Sequence, residues 1–325
     1  MSIRLAIILI FALIVAAGAV LVTRSQIRPA VEPQEPKEYL YRLDPFGITS
    51  VSVKQGNRAQ TFELGPDETW IFADESAAVS PERWGGVVGI LSEPSARRRV
   101  MDVIDDPASY GLDTPSTSIT TGLSDGQKLT IHLGDATPTG DDVYAQLEGF
   151  DILYMVPSEW TSVFSRFITD PPYLWLYLNP VDEQHHQFID SSQIQVLSVI
   201  HEGVSKKYLR QDDGTWVFDD AAKTPVDPAK WNEATAQLGG VIANRRPQRL
   251  FGPLKYGLGS QTTTTVELSF DRAEKFMIHI RLGAITDDGN YQYAENFGDE
   301  RERLMVIDKS YGEQLSRLVT NPPLP

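Results

Sequence analysis

Tyr110-Gly111-Leu112-Asp113-Thr114-Pro115 and Tyr256-Gly257-Leu258-Gly259-Ser260-Gln261 open on the same three residues, and the chain around each repeats a common set of landmarks in a common order. Ile48, Val51 and Val53 are matched by Ile194, Leu197 and Val199 at an offset of 146, and Thr69-Trp70-Ile71-Phe72 by Thr215-Trp216-Val217-Phe218 at the same offset. Pro81 with Trp84 is answered by Pro228 with Trp231 at 147, Leu133-Gly134 by Leu282-Gly283 and Tyr144-Ala145 by Tyr293-Ala294 at 149, and Asp170-Pro171-Pro172 by Asn321-Pro322-Pro323 at 151. A slow drift absorbed between ordered landmarks is the mark of a duplicated domain with loop insertions, and two copies are too few for a solenoid.

Local patterns predict what each copy contains. Ile48 to Val53, Thr61 to Leu64 and Trp70 to Phe72 read as short strands, separated by Gly56-Asn57 and Gly65-Pro66-Asp67 turns that imply antiparallel pairing. Ser80 before Pro81 is a helix start, and Trp84, Val87, Val88 and Leu91 follow at helical spacing. The glycines of Gly85-Gly86-Val87-Val88-Gly89 are expected to let that helix pack closely; their spacing matches no dinucleotide fingerprint. Further strands are expected at 116–123, 128–133, 143–147 and 152–156, with Asp125-Gly126, Gly134 and Gly149 as punctuation. Ser158 then caps a helix bearing Trp160, Val163, Phe164 and Phe167, stopped by Asp170-Pro171-Pro172.

The N-terminus differs in kind. Leu5 to Thr23 is an uncharged, mostly aliphatic run between Arg4 and Arg24, and as a helix at ~1.5 Å per residue it spans roughly 28 Å, enough for one bilayer crossing. A cleaved signal peptide ending near Ala17-Gly18-Ala19 is the competing reading, but the apolar run continues past that point to Val22. Pro29, Pro33, Pro36 and Pro45 then suggest an extended tether. The predicted class is therefore α+β: two tandem homologous domains, each a mostly antiparallel sheet with two packing helices, preceded by one transmembrane helix. The expected boundaries are 1–24 for the anchor, 25–45 for the tether, 46–172 for the first domain, 173–190 for an aromatic interdomain segment and 191–325 for the second domain.

Charge and composition narrow the function. With 44 acidic against 29 basic residues the net charge is -15, which disfavours nucleic acid and anionic lipid as partners of the folded part. Cysteine is absent, so disulfides, thiolate metal ligands and cysteine nucleophiles are excluded. No serine-hydrolase elbow, Walker loop or dinucleotide fingerprint occurs. Asp182-Glu183-Gln184-His185-His186 places imidazoles beside carboxylates, yet a polar interdomain loop explains it as well as a metal site. Asp287-Asp288-Gly289-Asn290 lacks the ligand register of a calcium loop and reads as a hairpin turn. His132 and His279 align with Arg281 and Thr130, so the two copies share no histidine site. No catalytic residue, cofactor or metal ligand is assigned, and the chain is read as non-enzymatic.

Two features are candidates for partner binding. Arg97-Arg98-Arg99 and Arg245-Arg246 with Arg249 fall at equivalent places in an otherwise acidic chain, where they either meet an anionic partner or balance Asp102, Asp105 and Asp106. Tyr173-Leu174-Trp175-Leu176-Tyr177-Leu178 is the most aromatic stretch, and Tyr173, Trp175 and Tyr177 either pack between the domains or dock on a partner.

Through the Thr-Trp-x-Phe strand, the Pro-x-x-Trp helix, Tyr110-Gly111-Leu112-Asp113-x-Pro115, and the Leu133-Gly134 and Tyr144-Ala145 strands, residues 48–323 resemble the bacterial family called domain of unknown function 4340. The second copy departs from that pattern at Gly259-Ser260-Gln261. The resemblance implies a single N-terminal anchor and an accessory role beside a membrane protein complex such as an ABC-type transporter, with no catalytic residues to carry over. The function expected is a scaffold subunit held by its N-terminal helix in the lipid bilayer of the cytoplasmic membrane, its domains on the extracytoplasmic side. The alternative is a module that takes a glycan or peptide in the cleft between the two copies.

Overall fold

In the computed structural model, residues 38–65, 68–177, 191–247, 252–259, 264–271, 277–297 and 303–325 are described. Among the described residues the first element is a two-residue strand β1 (Glu38–Tyr39), followed by β2 (Ile48–Gln55), β3 (Arg58–Leu64) and β4 (Trp70–Phe72). Two short helices, α1 (Pro81–Trp84) and α2 (Val87–Ser92), precede β5 (Ser95–Ala96) and β6 (Arg98–Met101). A meander of β7 (Thr117–Leu123), β8 (Lys128–Ala136), β9 (Asp142–Leu147) and β10 (Leu153–Pro157) leads to helix α3 (Glu159–Thr169). The second half runs β11 (Val196–His201), β12 (Val204–Arg210), β13 (Trp216–Phe218), helix α4 (Pro228–Thr235), β14 (Thr264–Ser269), β15 (Met277–Ile285), β16 (Tyr291–Phe297), β17 (Arg303–Asp308) and helix α5 (Lys309–Thr320).

These elements form a mixed α/β fold with mostly antiparallel sheets and few helices. The first sheet has the order β4-β3-β2-β7-β8-β9-β10-β6 and the second β13-β12-β11-β14-β15-β16-β17. Up to β10 and β17 the two orders correspond strand for strand. Where β6 adds an edge to the first sheet, the described residues of the second half make an antiparallel bridge between Arg245 and Val306. In each sheet one face is covered by the closing helix, so alternate strand residues point into a core. Val51, Val53, Phe62, Ile119 and Ile131 meet Phe164 and Phe167 of α3, while Leu197, Val199, Tyr208, Val266 and Leu268 meet Leu315 and Leu318 of α5. Burying each such aliphatic or aromatic side chain stabilises by about 1.5–3 kcal/mol.

Sequence expectations need five corrections. The segment 25–45 is not tether throughout, because β1 pairs with β5 and Leu40 is buried. The helix from Pro81 does not continue through Leu91: it breaks after Trp84, and Gly86 takes a left-handed φ of 76°. A Cβ on Gly86 or Gly89 would meet nothing within 4 Å, so these glycines do not serve close packing. Gly134 lies inside β8 and not at its end, and Ser158 makes no side-chain capping bond. Ser80 does cap as expected, its hydroxyl accepting from the Arg83 N–H. None of the described helices is long and apolar enough to cross a membrane, and residues 1–24, on which the predicted anchor falls, lie outside the described residues.

Candidate functional site

The recurring landmarks of the sequence meet in space. In the first half a 3-10 turn ends at Tyr110, Gly111 takes φ 67°, and Leu112 is buried against Ile104 and Leu153. The Tyr110 carbonyl lies so close to Gly134 that a Cβ there would overlap it, and β8 and β9 shift register at this point. Gly111 is equally confined, since a Cβ on it would stand 2.6 Å from the Asp135 carboxyl carbon. The Tyr110 ring meets Tyr144 edge-on at 4.9 Å. The second half reproduces this arrangement: Gly257 at φ 70° faces Ala284, the Tyr256 carbonyl faces Gly283, and Tyr256 meets Tyr293 at 5.0 Å. Tyr-Gly-Leu, Leu-Gly and Tyr-Ala are thus three sides of one contact, in which a turn is pressed into a strand bulge.

The Pro-x-x-Trp helices and the Pro-Pro stops form a second paired contact. The Ser80 N–H donates to the Pro172 carbonyl at 2.8 Å, and the Asp227 N–H to the Pro323 carbonyl at 2.9 Å. Trp84 packs on Trp70 at 5.1 Å and Trp231 on Trp216 at 4.6 Å.

The aromatic stretch joins the halves. Leu174 donates to the Ala78 carbonyl at 2.9 Å, Ala78 to the Ala243 carbonyl at 2.7 Å, and Ala243 back to the Leu174 carbonyl at 2.7 Å. Three buried backbones thus close a ring of hydrogen bonds that no strand assignment reveals. Bridges from Val79 to Tyr173 and from Trp175 to Ile242 flank it. Ala78 of the first half packs in the second core, and Ile242 of the second half packs against the first. Tyr173 stacks on Phe72 at 4.3 Å and donates to the Glu75 carboxylate. Burial, then that carboxylate, push its phenol up to about 12. Trp175 is half-buried edge-on to Tyr173. Tyr177 is enclosed, bonding the Leu238 carbonyl at 3.0 Å and the Tyr311 hydroxyl at 3.4 Å, and so offers no surface to a partner.

The arginine runs are mostly engaged. Arg97 pairs with Asp142 at 2.8 Å, Arg99 with Asp102 at 2.7 Å, Arg245 with Asp288 at 3.6 Å and Arg246 with Glu82 at 3.7 Å. Asp106 instead accepts from Ala108 and Ser109 at the start of the Tyr110 turn. Arg98 is exposed, its guanidinium reaching the Met155 sulfur at 3.8 Å. The two runs do not share a surface strip: Arg97–Arg99 lie at the β6 edge of the first sheet, and Arg246 meets Glu82 at the opposite, β4 end.

Of the histidines, His132 bonds Ser118 at 3.0 Å, His201 bonds Thr264 at 2.7 Å, and His279 lies 3.5 Å from Glu267. Asp287-Asp288-Gly289-Asn290 is a hairpin turn between β15 and β16, with Asp288 held below the usual carboxylate range, chiefly by the Thr286 hydroxyl. Among the described residues no group of three or more His, Asp or Glu is placed to hold a metal. Arg249, His185 and His186 lie outside the described residues.

One cavity went unmarked in the sequence. It is an open recess of about 440 Å³ beside the helix break, lined by Trp70, Val79, Pro81, Trp84 and Val88, with Glu68 and, from the second half, Arg246. Gly85-Gly86 is the signal that could have found it, since α4, with Asn232-Glu233 at the equivalent place, runs unbroken.

No protein-family model, curated protein or solved structure matches the chain.

Proposed function

We propose that the chain is a non-enzymatic accessory subunit that holds two copies of one α+β domain as a fixed strut beside a membrane protein complex, an ABC-type transporter being the partner class. In this reading residues 1–24 anchor it in the cytoplasmic membrane, and the two sheets stand on the extracytoplasmic side. The observation that carries it is the closed ring of Leu174, Ala78 and Ala243, which fastens one sheet to the other through buried backbone. A module that closes on its ligand needs a hinge between lobes, whereas a scaffold needs the relation between them fixed. The duplication is supported by the matching strand orders and by the two paired landmark contacts. The resemblance of residues 48–323 to the domain of unknown function 4340 points to the same role.

Gentle detergent extraction followed by identification of co-purifying proteins tests this. Transporter subunits should be recovered with the chain, and less of them with Arg98→Glu, because Arg98 is the member of its run whose charge lies outside the ion pairs found among the described residues. Recovery of the chain alone under mild conditions would contradict the proposal.

A further inference from the structure

One surface of the first copy is apolar where the second is polar. Phe46, in the 3-10 turn Pro45–Gly47, is 92% exposed, and Ile90 on α2 is exposed as well. The turn lies beside α2, and the Leu43 N–H donates to the Ser92 carbonyl at 2.8 Å, so the two side chains stand on adjoining elements. Ile90 also lines an open recess of about 400 Å³ with Pro157, Trp160, Val163 and Phe164, its charged members being Arg97 and Glu159. The duplication supplies an internal comparison. At the offsets of the neighbouring landmarks, 146, 147 and 151, Phe46 corresponds to Ser192, Ile90 to Gln237 and Val163 to Gln314. Half-buried Trp160 corresponds to Tyr311, which is buried. The two cores match, but this surface does not. The chain also enters the fold here: Glu38 pairs with Ala96 and its carboxylate accepts from the Arg99 N–H at 3.0 Å, so the first described residue flanks Arg97. Only residues 24–37 separate it from the uncharged run Leu5 to Thr23.

We infer that this surface rests on the bilayer that the N-terminal run crosses, Phe46 and Ile90 entering the interface and Trp160 lying at headgroup level; the inference rests on the anchor reading of residues 1–24. The tether favours the bilayer over a partner from solution. Residues 24–37 can reach at most roughly 50 Å, and a flexible link of that length presents the surface to the membrane at an effective concentration of about millimolar. A weak contact therefore suffices. Phe46, Ile90, Trp160 and Val163 are far short of the roughly 20–30 residues a side of a stable protein interface. They do suit a lipid interface, which takes up exposed aliphatic and aromatic groups and places tryptophan among the headgroups. Charge permits it. Arg97 is already paired with Asp142, and a zwitterionic lipid carries no net charge for this acidic chain to repel. The second copy, with Ser192, Gln237 and Gln314 at these places and no anchor before it, has no such demand to meet.

Because the chain lacks cysteine, the full-length protein in phosphatidylcholine nanodiscs can carry one nitroxide at Glu159→Cys, in the recess, or as a control at Val204→Cys, exposed on β12 of the second copy. Power-saturation electron paramagnetic resonance then compares collisions with oxygen, which concentrates in lipid, and with a water-soluble nickel chelate. The label at 159 should favour oxygen, and the label at 204 the nickel chelate. Phe46→Ser combined with Ile90→Gln, the residues of the second copy, should bring the label at 159 to the reading at 204 with the melting temperature kept. Each substitution should lower the ratio of docked to undocked chains roughly 10- to 100-fold. A label at 159 that reads as the one at 204 does in incorporated protein would overturn the inference and leave the anchor standing. Shielding of that label from both probes would mean a protein cover, and an unchanged reading in the folded double variant would mean that these side chains do not hold the contact; either overturns the inference. Failure of the chain to incorporate into nanodiscs would remove the anchor and the inference together.

Discussion

At the scale of single residues the fold turns on where a Cβ cannot go. Gly134 and Gly283 sit under the carbonyls of Tyr110 and Tyr256, so Gly134→Ala or Gly283→Ala must push a turn out of its bulge. Each is expected to cost about 2–3 kcal/mol, read as a lower denaturant midpoint. Gly89→Ala is the control, for it lies in α2 with open space around it and should stabilise by about 0.5–1 kcal/mol. A Gly134→Ala protein as stable as the parent would refute the docked-turn contact. The buried tyrosines set an alkaline limit of their own. Tyr173 is raised to about 12, and Tyr177, Tyr208 and Tyr311 are raised too, burial being the first cause in every case. A phenol whose folded pKa lies above its unfolded value of about 10 favours the folded state below pH 10, and that contribution is lost as pH rises through the folded value. Stability should therefore fall above about pH 10, with these phenols ionising only as the chain unfolds in an absorbance titration at alkaline pH. Their ionisation in the folded protein near pH 10 would contradict the burial described.

At the scale of elements, the ring at the joint does what neither sheet does alone. Ala78→Pro removes the N–H that reaches Ala243 and leaves a buried carbonyl unmet, a loss of about 1–3 kcal/mol. The second half makes the same substitution naturally: Pro225, not alanine, bridges Val217 where Ala78 bridges Ile71. That position cannot donate into a further ring. Calorimetry of Ala78→Pro should show the two halves melting separately, whereas one unshifted transition would mean that the ring carries little coupling. Much of this level was readable from local chemistry. β2, β3 and β4, the meander from β7 to β10, and the Ser80 cap follow from alternation, turn residues and capping propensity, because those act over a few neighbours. What escaped depends on partners far along the chain. Gly134 looks like punctuation until the Tyr110 carbonyl arrives above it. Tyr39 and Leu40 look like tether until β5 comes alongside. Leu174, Ala78 and Ala243 carry no side-chain signature for a ring made by their backbones.

For the whole molecule, the strut proposal predicts a fixed distance between two sheets. Swapped packing of Ala78 and Ile242, the Arg246–Glu82 ion pair and the bond from the Asn244 amide to the Ser76 carbonyl all cross the same joint as the ring. The exposed ion pair adds little by itself, at about 0–1 kcal/mol, so stiffness should survive high salt. Such a joint suits a part that spaces other components and does not suit one that closes on a substrate. Because the chain has no cysteine, spin labels can be placed without background at Ser162→Cys on α3 and Asn232→Cys on α4, both exposed. The most direct test of the strut is the distance distribution between those labels by pulsed electron paramagnetic resonance. A single narrow peak, unchanged in high salt and broadened by Ala78→Pro, is the expected result; a broad or two-peaked distribution in the parent protein would contradict the account.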